Sequence, residues 1–255
     1  MENLKSELAK NLKELNLSTI RNCYESVARS AANESLTYEQ YLHELTSEEL
    51  SVRRQNKIQR LLRESKLPLE KNLTSFEFKR LPKKVALQAR ALLDGGFLKR
   101  CENVLAFGNP GSGKTHLLSA ISQELIHRGF RIYFTTCSAL VQELLIAKRE
   151  LRLTKILKSL SRFNGIFIDD IGYVQQNREE MEVLFTLLAD RYERSSILLS
   201  SNLPFSDWEQ IFKDPMTTAA AIDRLVHHSI ILELNVTSYR SEQAKQKKQI
   251  TEKAA

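Results

Sequence analysis

Apolar residues in the first third of the chain recur every three or four positions. Leu4, Leu8, Leu12 and Leu15 share one face of a first helix, and Ile20, Tyr24 and Val27 share one face of a second. Thr37-Tyr38-Glu39-Gln40 and Thr46-Ser47-Glu48-Glu49 each read as a capping box that opens a further helix. The last of these carries Ile58, Leu61 and Leu62 on one side. Further on, short continuous apolar runs alternate with helical spacing. Residues 104–107, 131–135, 165–170, 196–200 and 230–234 read as five strands. Helices between them carry Leu117, Leu118, Ile121 and Leu125, then Leu140, Val141, Leu144 and Leu145, then Leu184, Leu187 and Leu188, then residues 219–226. This alternation predicts an α/β three-layer fold on a five-stranded parallel sheet, preceded by a small all-helical domain. The expected organisation is a helical domain over 1–67, a linker over 68–82 bounded by Pro68 and Pro82, and an α/β domain over 83–255. A helix near 85–93 leads into that domain and ends at Gly95-Gly96.

Residues 108–115, GNPGSGKT, sit between the first of those strands and the helix after it, and fit G-x-x-x-x-G-K-[ST]. Glycines there let backbone N–H groups curl around phosphates, and the helix start adds its positive dipole end. The expected nucleoside triphosphate site is Gly108, Asn109, Pro110, Gly111, Ser112, Gly113, Lys114, Thr115 and His116. Lys114 is expected at the β- and γ-phosphates and the Thr115 hydroxyl at Mg²⁺. The strand over 165–170 ends in Asp169 and Asp170, beside the glycine loop in a parallel sheet. Asp169 is assigned to the metal and Asp170 to the attacking water. Asn202 follows the next strand, where its amide can orient that water. Phe76 or Phe78 can pack near the base, although docking the linker on the core is the simpler role.

Composition adds a partner. The 255 residues carry a net charge of +7 with a pI near 9.3, which favours a polyanion. Arg53, Lys57 and Arg60 form a basic stripe flanked by Arg54 and Arg63. Lys148, Arg152 and Lys155 repeat at i, i+4 and i+7 beside Arg149, Lys158 and Arg162, as a second stripe on one helix. Either can contact the DNA backbone or be a solvated face. Cys23, Cys101 and Cys137 are far apart in sequence and suit a reducing compartment. His227-His228 lacks helical metal-ligand spacing and is read as no metal site. With no signal-peptide core and no apolar run long enough to span a bilayer, a soluble cytoplasmic protein with no membrane association is expected.

The glycine loop, the carboxylate pair, Asn202 and the Asp223-Arg224-Leu225 element occur in an order that resembles the AAA+ ATPases of the initiator and helicase-loader clade. The wording ENVLAFGNPGSGKTHL, the IDDIG at 168–172 and AAIDRLVHHS at 220–229 resemble the IstB-type transposition helper ATPases of bacterial insertion sequences. That resemblance places Asn202 at the sensor-1 position and makes Arg224 the arginine finger that reaches a neighbouring subunit's nucleotide. Arg240 becomes a sensor-2-like arginine, acting without a full helical lid. Arg191 and Arg194 are rival fingers.

The resemblance implies an ATPase using ATP and Mg²⁺, with ATP held at the subunit interfaces of a homo-oligomer. Its partners are duplex DNA and an insertion-sequence transposase, which it directs or stimulates. Asp170 is one methylene shorter than the glutamate of many AAA+ relatives, so slow hydrolysis used as an assembly switch is expected. The alternative is a replicative helicase loader of the same clade. A small-molecule kinase is disfavoured because Asp169, Asp170 and Asn202 suit water as acceptor. A GTPase is disfavoured because no Asn-Lys-x-Asp segment is present.

Overall fold

The computed structural model describes residues 2–171, 178–208, 215–239 and 242. Two compact units are present, Met1–Arg60 and Leu61–Ala255. The division falls inside a helix.

The first unit holds α1 (Glu2–Glu14), α2 (Ser18–Asn33) and most of α3 (Tyr38–Ser65). Leu12, Ile20 and Leu45 form its buried centre, with Tyr24, Val27 and Tyr41 against them. The capping box at Thr37 forms: Thr37 N–H donates to Gln40 Oε1 at 2.8 Å, and Gln40 N–H to Thr37 Oγ1 at 3.3 Å. The second expected box does not. α3 runs unbroken past Thr46, whose hydroxyl bonds back to the carbonyls of Leu42 and His43. Glu49, which would close that box, is drawn instead to the start of α2, where its Oε2 accepts from the N–H groups of Thr19 and Ile20. Burial alone would raise the Glu49 carboxyl. The Arg53 guanidinium and those two N–H groups outweigh it and hold the carboxyl below its ordinary range.

In the second unit, α4 (Lys83–Ala91) and α5 (Gly96–Lys99) precede β1 (Asn103–Phe107), α6 (Lys114–His127), β2 (Ile132–Thr136) and α7 (Cys137–Arg149). Then come α8 (Leu153–Leu160), β3 (Gly165–Ile171), α9 (Arg178–Arg191), β4 (Ser196–Ser201), α10 (Pro215–Val226) and β5 (Ser229–Glu233). The strands form one parallel sheet in the order β2-β3-β4-β1-β5. Leu105, Ile166, Ile168 and Leu199 face a cluster with α7 and α9. Val104, Ala106, Phe167 and Leu198, equally buried, alternate to the other face, where α6 lies. Helices on both faces give the expected three layers.

Two expectations about helices change. The second basic stripe is not on one helix, because α7 ends at Arg149, Leu151 takes a left-handed φ of 56°, and α8 begins at Leu153. Arg191 is no free finger. It is 1% exposed, and its guanidinium donates to the carbonyls of Leu160, Phe163 and Ser196, tying the end of α8 to the start of β4. Burial lowers it to about 10, still charged at neutral pH.

Candidate nucleotide-binding site

β1 delivers the glycine loop to the carboxyl edge of the sheet. Gly108, Gly111 and Gly113 take φ of 150°, 81° and 95°, values that side chains rarely adopt. A Cβ at Gly108 would lie 2.4 Å from the Leu234 carbonyl oxygen, and one at Gly111 would lie 2.2 Å from Ser238 Oγ. Lys114 opens α6 and is folded into the loop, its Nζ donating to the carbonyls of Gly108 at 2.7 Å and Asn109 at 2.9 Å. Pro110, Gly111, Ser112, Gly113, Lys114, Thr115 and His116 line a cleft with Asp170 and Asn202. Gly108 and Asn109 form the back of the loop.

The carboxylate pair does not end its strand, as the sequence suggested. β3 continues to Ile171, and its register with β4 slips by one: Ile168 faces Leu199, while Ile171 faces Ser201. The slip is a β-bulge at Asp169-Asp170, with Asp170 at a left-handed φ of 67°. Consecutive strand residues point to opposite faces. Asp169 keeps to the face of Phe167 and meets the glycine-loop helix, while the bulge turns Asp170 out of that alternation to line the cleft. Thr115 Oγ1 donates to Asp169 Oδ1 at 2.8 Å. Ser200 Oγ donates to the same oxygen at 2.6 Å and accepts the Asp170 N–H at 2.9 Å. No feature of the sequence flagged Ser200, because only the register reveals it.

Asn202 lies just beyond β4, its Oδ1 buried without a hydrogen-bond partner. Ser112 Oγ in the glycine loop is in the same condition. The orphaned Ser112 hydroxyl can donate to a phosphate oxygen, the orphaned Asn202 oxygen can accept from a water beside it, and the glycine cradle that a Cβ would fill leaves room for a polyphosphate. Thr115 and Asp169 offer the hard oxygen donors that suit Mg²⁺.

The expected linker forms the other wall. Gln123 Nε2 donates to the carbonyls of Pro68 and Lys71. The His116 ring bonds Ser75 Oγ at 3.0 Å and the Asn72 carbonyl at 3.2 Å, and meets the Phe76 ring edge-on at 5.2 Å. Phe76, Arg80 and Leu81 thus face the loop, while Phe78 meets the Phe76 ring edge-on at 5.1 Å. From the chain's far end, Tyr239 N–H donates to the Gly111 carbonyl at 3.0 Å, and the Arg80 guanidinium lies over the Tyr239 ring. Arg80 also pairs with Glu242 at 2.6 Å. Arg240 lies outside the described residues.

Arg224 is not among the described residues that line the cleft. Its Nη1 donates to the Ala220 carbonyl, and its guanidinium stacks over Phe185 at 4.8 Å. Of the basic residues, Arg53 pairs with Glu49, Lys148 with Glu182, Arg149 with Glu179, and Arg152 with Glu150. Arg54, Lys57, Arg60 and Lys155 are exposed. His227 and His228, read as no metal site, lie with Glu193 so that their ligand atoms fall within 4.8 Å of one another. All three are exposed.

The sheet order, the loop at the carboxyl edge of β1 and the carboxylates on β3 define a P-loop fold of the AAA+ type. Solved structures share the fold: the DnaC helicase loader aligns with 66% of this chain and 97% of its own (TM-score 0.55, 20% identity). A replication initiator DnaA bound to AMPPCP and single-stranded DNA aligns with 71% of this chain and 55% of its own (TM-score 0.57, 17% identity). Sequence comparison is more specific. Residues 10–248 match the IstB-like ATP binding protein family, and the chain belongs to it. An insertion sequence ATP-binding protein of Sinorhizobium fredii is 41% identical over 238 residues, covering 93% of this chain and 80% of that one. The IS21 ATP-binding protein of Pseudomonas aeruginosa is 38% identical over 216 residues, covering 85% and 82%. The IS5376 counterpart of Geobacillus stearothermophilus is 36% identical over 226 residues, covering 89% and 90%.

Proposed function

We propose that this chain hydrolyses ATP as an assembly switch, builds a homo-oligomer on duplex DNA and directs the transposase of its insertion sequence to that DNA. The observation that carries the nucleotide part is the convergence of Thr115, Asp170 and Asn202 on one cleft, with Asp169 bonded to the Thr115 hydroxyl behind it. In that reading Lys114 leaves the Gly108 and Asn109 carbonyls for the β- and γ-phosphates. Asp170 takes a proton from the attacking water, and the Asn202 amide orients it. Thr115 and Asp169 would hold Mg²⁺, whose charge would offset that of the phosphates.

Arg224 completes the site of a neighbouring subunit, which is why its own cleft lacks it. The helical region over 1–67 binds DNA or a partner, with residues 68–82 joining it to the ATPase domain over 83–255. Arg54, Lys57 and Lys155 are the phosphate contacts we favour, because they are exposed while Arg53, Lys148 and Arg152 are drawn into ion pairs; exposed Arg60 lies on the same stripe. The relatives' names tie the chain to insertion sequences and hence to a transposase. No helix of the described residues is long and apolar enough to cross a membrane, which accords with work in the cytoplasm.

Particle size measured with duplex DNA under ATP, ADP and no nucleotide tests this reading. Growth only with ATP and DNA together supports it, and a constant monomer contradicts it. The fold shared with the DnaC helicase loader keeps one alternative, a loader with little DNA affinity of its own. Nucleotide-dependent assembly that duplex DNA does not influence would favour that alternative.

A further inference from the structure

We propose that Ser200 is the positioning residue of the metal-binding face: its hydroxyl holds the Asp169 carboxylate and the Asp170 main chain together, and so sets how much Mg²⁺ the site needs. This rests on the ATP and Mg²⁺ reading above and adds to it a residue that touches neither. The bulge at Asp169-Asp170 leaves Ser200 opposite two residues instead of one. In a regular parallel pair the Asp170 N–H would bond a strand carbonyl. Here it donates to the Ser200 hydroxyl, which in turn donates a hydrogen bond to Asp169 Oδ1. Ser200 is 1% exposed, so water has no easy route to replace it.

Both hydroxyls on Asp169 reach Oδ1, but they are not equivalent. Thr115 is itself a metal ligand in the proposed site, whereas Ser200 bonds only protein. It is therefore the donor that orients Asp169 whether or not metal is present. The same oxygen holds Asp170 in its left-handed conformation, one that a residue with a side chain seldom takes. One buried hydroxyl thereby links the metal ligand to the residue assigned to water.

The test is binding of a fluorescent ATP analogue as a function of Mg²⁺ concentration, with Mn²⁺ uptake followed by electron paramagnetic resonance as a second readout. Ser200→Ala and Ser200→Cys are expected to raise the half-saturating Mg²⁺ by about ten- to a hundredfold, as the loss of an outer partner of a metal ligand does. Ser200→Thr, which keeps the hydroxyl, is expected to return toward the wild-type curve. Trp208, the single tryptophan and fully buried, reports by its emission that each variant is folded. If Ser200→Ala loses that emission, Ser200→Cys, with a side chain of similar shape, decides. Wild-type Mg²⁺ dependence in the folded Ala or Cys variant overturns the proposal, as does a Thr variant shifted as far as Ala. A wild-type chain that takes up no ATP at any Mg²⁺ concentration overturns the nucleotide reading itself, a result distinct from either.

Discussion

The Asn103 side-chain amide donates to the main-chain carbonyl of Arg224 at 3.4 Å and to that of Leu225 at 3.0 Å. Its oxygen accepts the Ile197 N–H, so one buried side chain ties the end of α10 to the starts of β1 and β4. These contacts lie at the amino edge of the sheet. The glycine loop leaves β1 at Phe107, about 13 Å of strand away at roughly 3.3 Å per residue. The fold therefore anchors the Arg224 backbone at the edge opposite its own cleft.

Arg224→Ala is expected to leave ATP binding by the isolated chain within about twofold of wild type. Hydrolysis by the assembled protein is expected to fall by roughly a thousandfold, as removal of an arginine finger does. Titration of a fluorescent ATP analogue and steady-state phosphate release measure the two effects. A large loss of binding in the isolated chain would count against the assignment.

Gly111→Ala introduces a Cβ 2.2 Å from Ser238 Oγ at a φ of 81°. The expected result is displacement of the segment at Ser238 and Tyr239 and weaker ATP binding. Ser238→Gly in the same chain removes the clash and leaves only the left-handed strain of about 1–2 kcal/mol. Partial recovery of ATP affinity in the double variant checks this.

Arg191→Met removes the guanidinium's bonds to the carbonyls of Leu160, Phe163 and Ser196, of which Leu160 keeps the Phe163 N–H. Hydrogen bonds to a charged donor contribute about 1.5–3 kcal/mol each, so a loss of at least about 3 kcal/mol is expected. Urea unfolding followed by Trp208 emission measures it. Unchanged stability would reopen Arg191 as a functional arginine.

His116 gives a pH dependence. Burial lowers its pKa below the ordinary histidine value, the largest of several influences on it. The folded state then binds fewer protons than the unfolded chain between the two values, so its stability rises with pH in that window. The contribution is lost as pH falls below about 6.5, the unperturbed value, and the segment carrying Asn72 and Ser75 should loosen with it. His116→Gln, which keeps a hydrogen-bonding side chain and does not titrate, should flatten the acid limb of a melting-temperature profile. An unchanged limb would place the titration elsewhere.

The glycine loop was legible because phosphate binding needs a contiguous turn between a strand and a helix, so residues 108–115 carry the whole signal. The central strands β1, β3 and β4 were legible because burial on both faces leaves continuous apolar runs. The bulge at Asp169-Asp170 and the role of Ser200 depend on register against β4, which no local pattern encodes. The wall made by Phe76, Arg80 and Tyr239 joins segments far apart in the chain. The basic stripe through Lys148, Arg152 and Lys155 misled because helical spacing was carried across Leu151, whose left-handed φ breaks the helix. Thr46 misled because the N–H groups of Thr19 and Ile20 at the start of α2 claim Glu49.

The central claim is that a bound triphosphate is shared between adjacent copies, and subunit mixing tests it most directly. Asp170→Asn keeps Arg224 and is expected to bind ATP without hydrolysing it. Arg224→Ala keeps the whole cleft and lacks the arginine. Each alone is expected to be nearly inactive in phosphate release on DNA, and an equimolar mixture should recover activity as intact clefts meet intact arginines. A mixture no more active than its components would contradict a nucleotide completed from the neighbouring subunit.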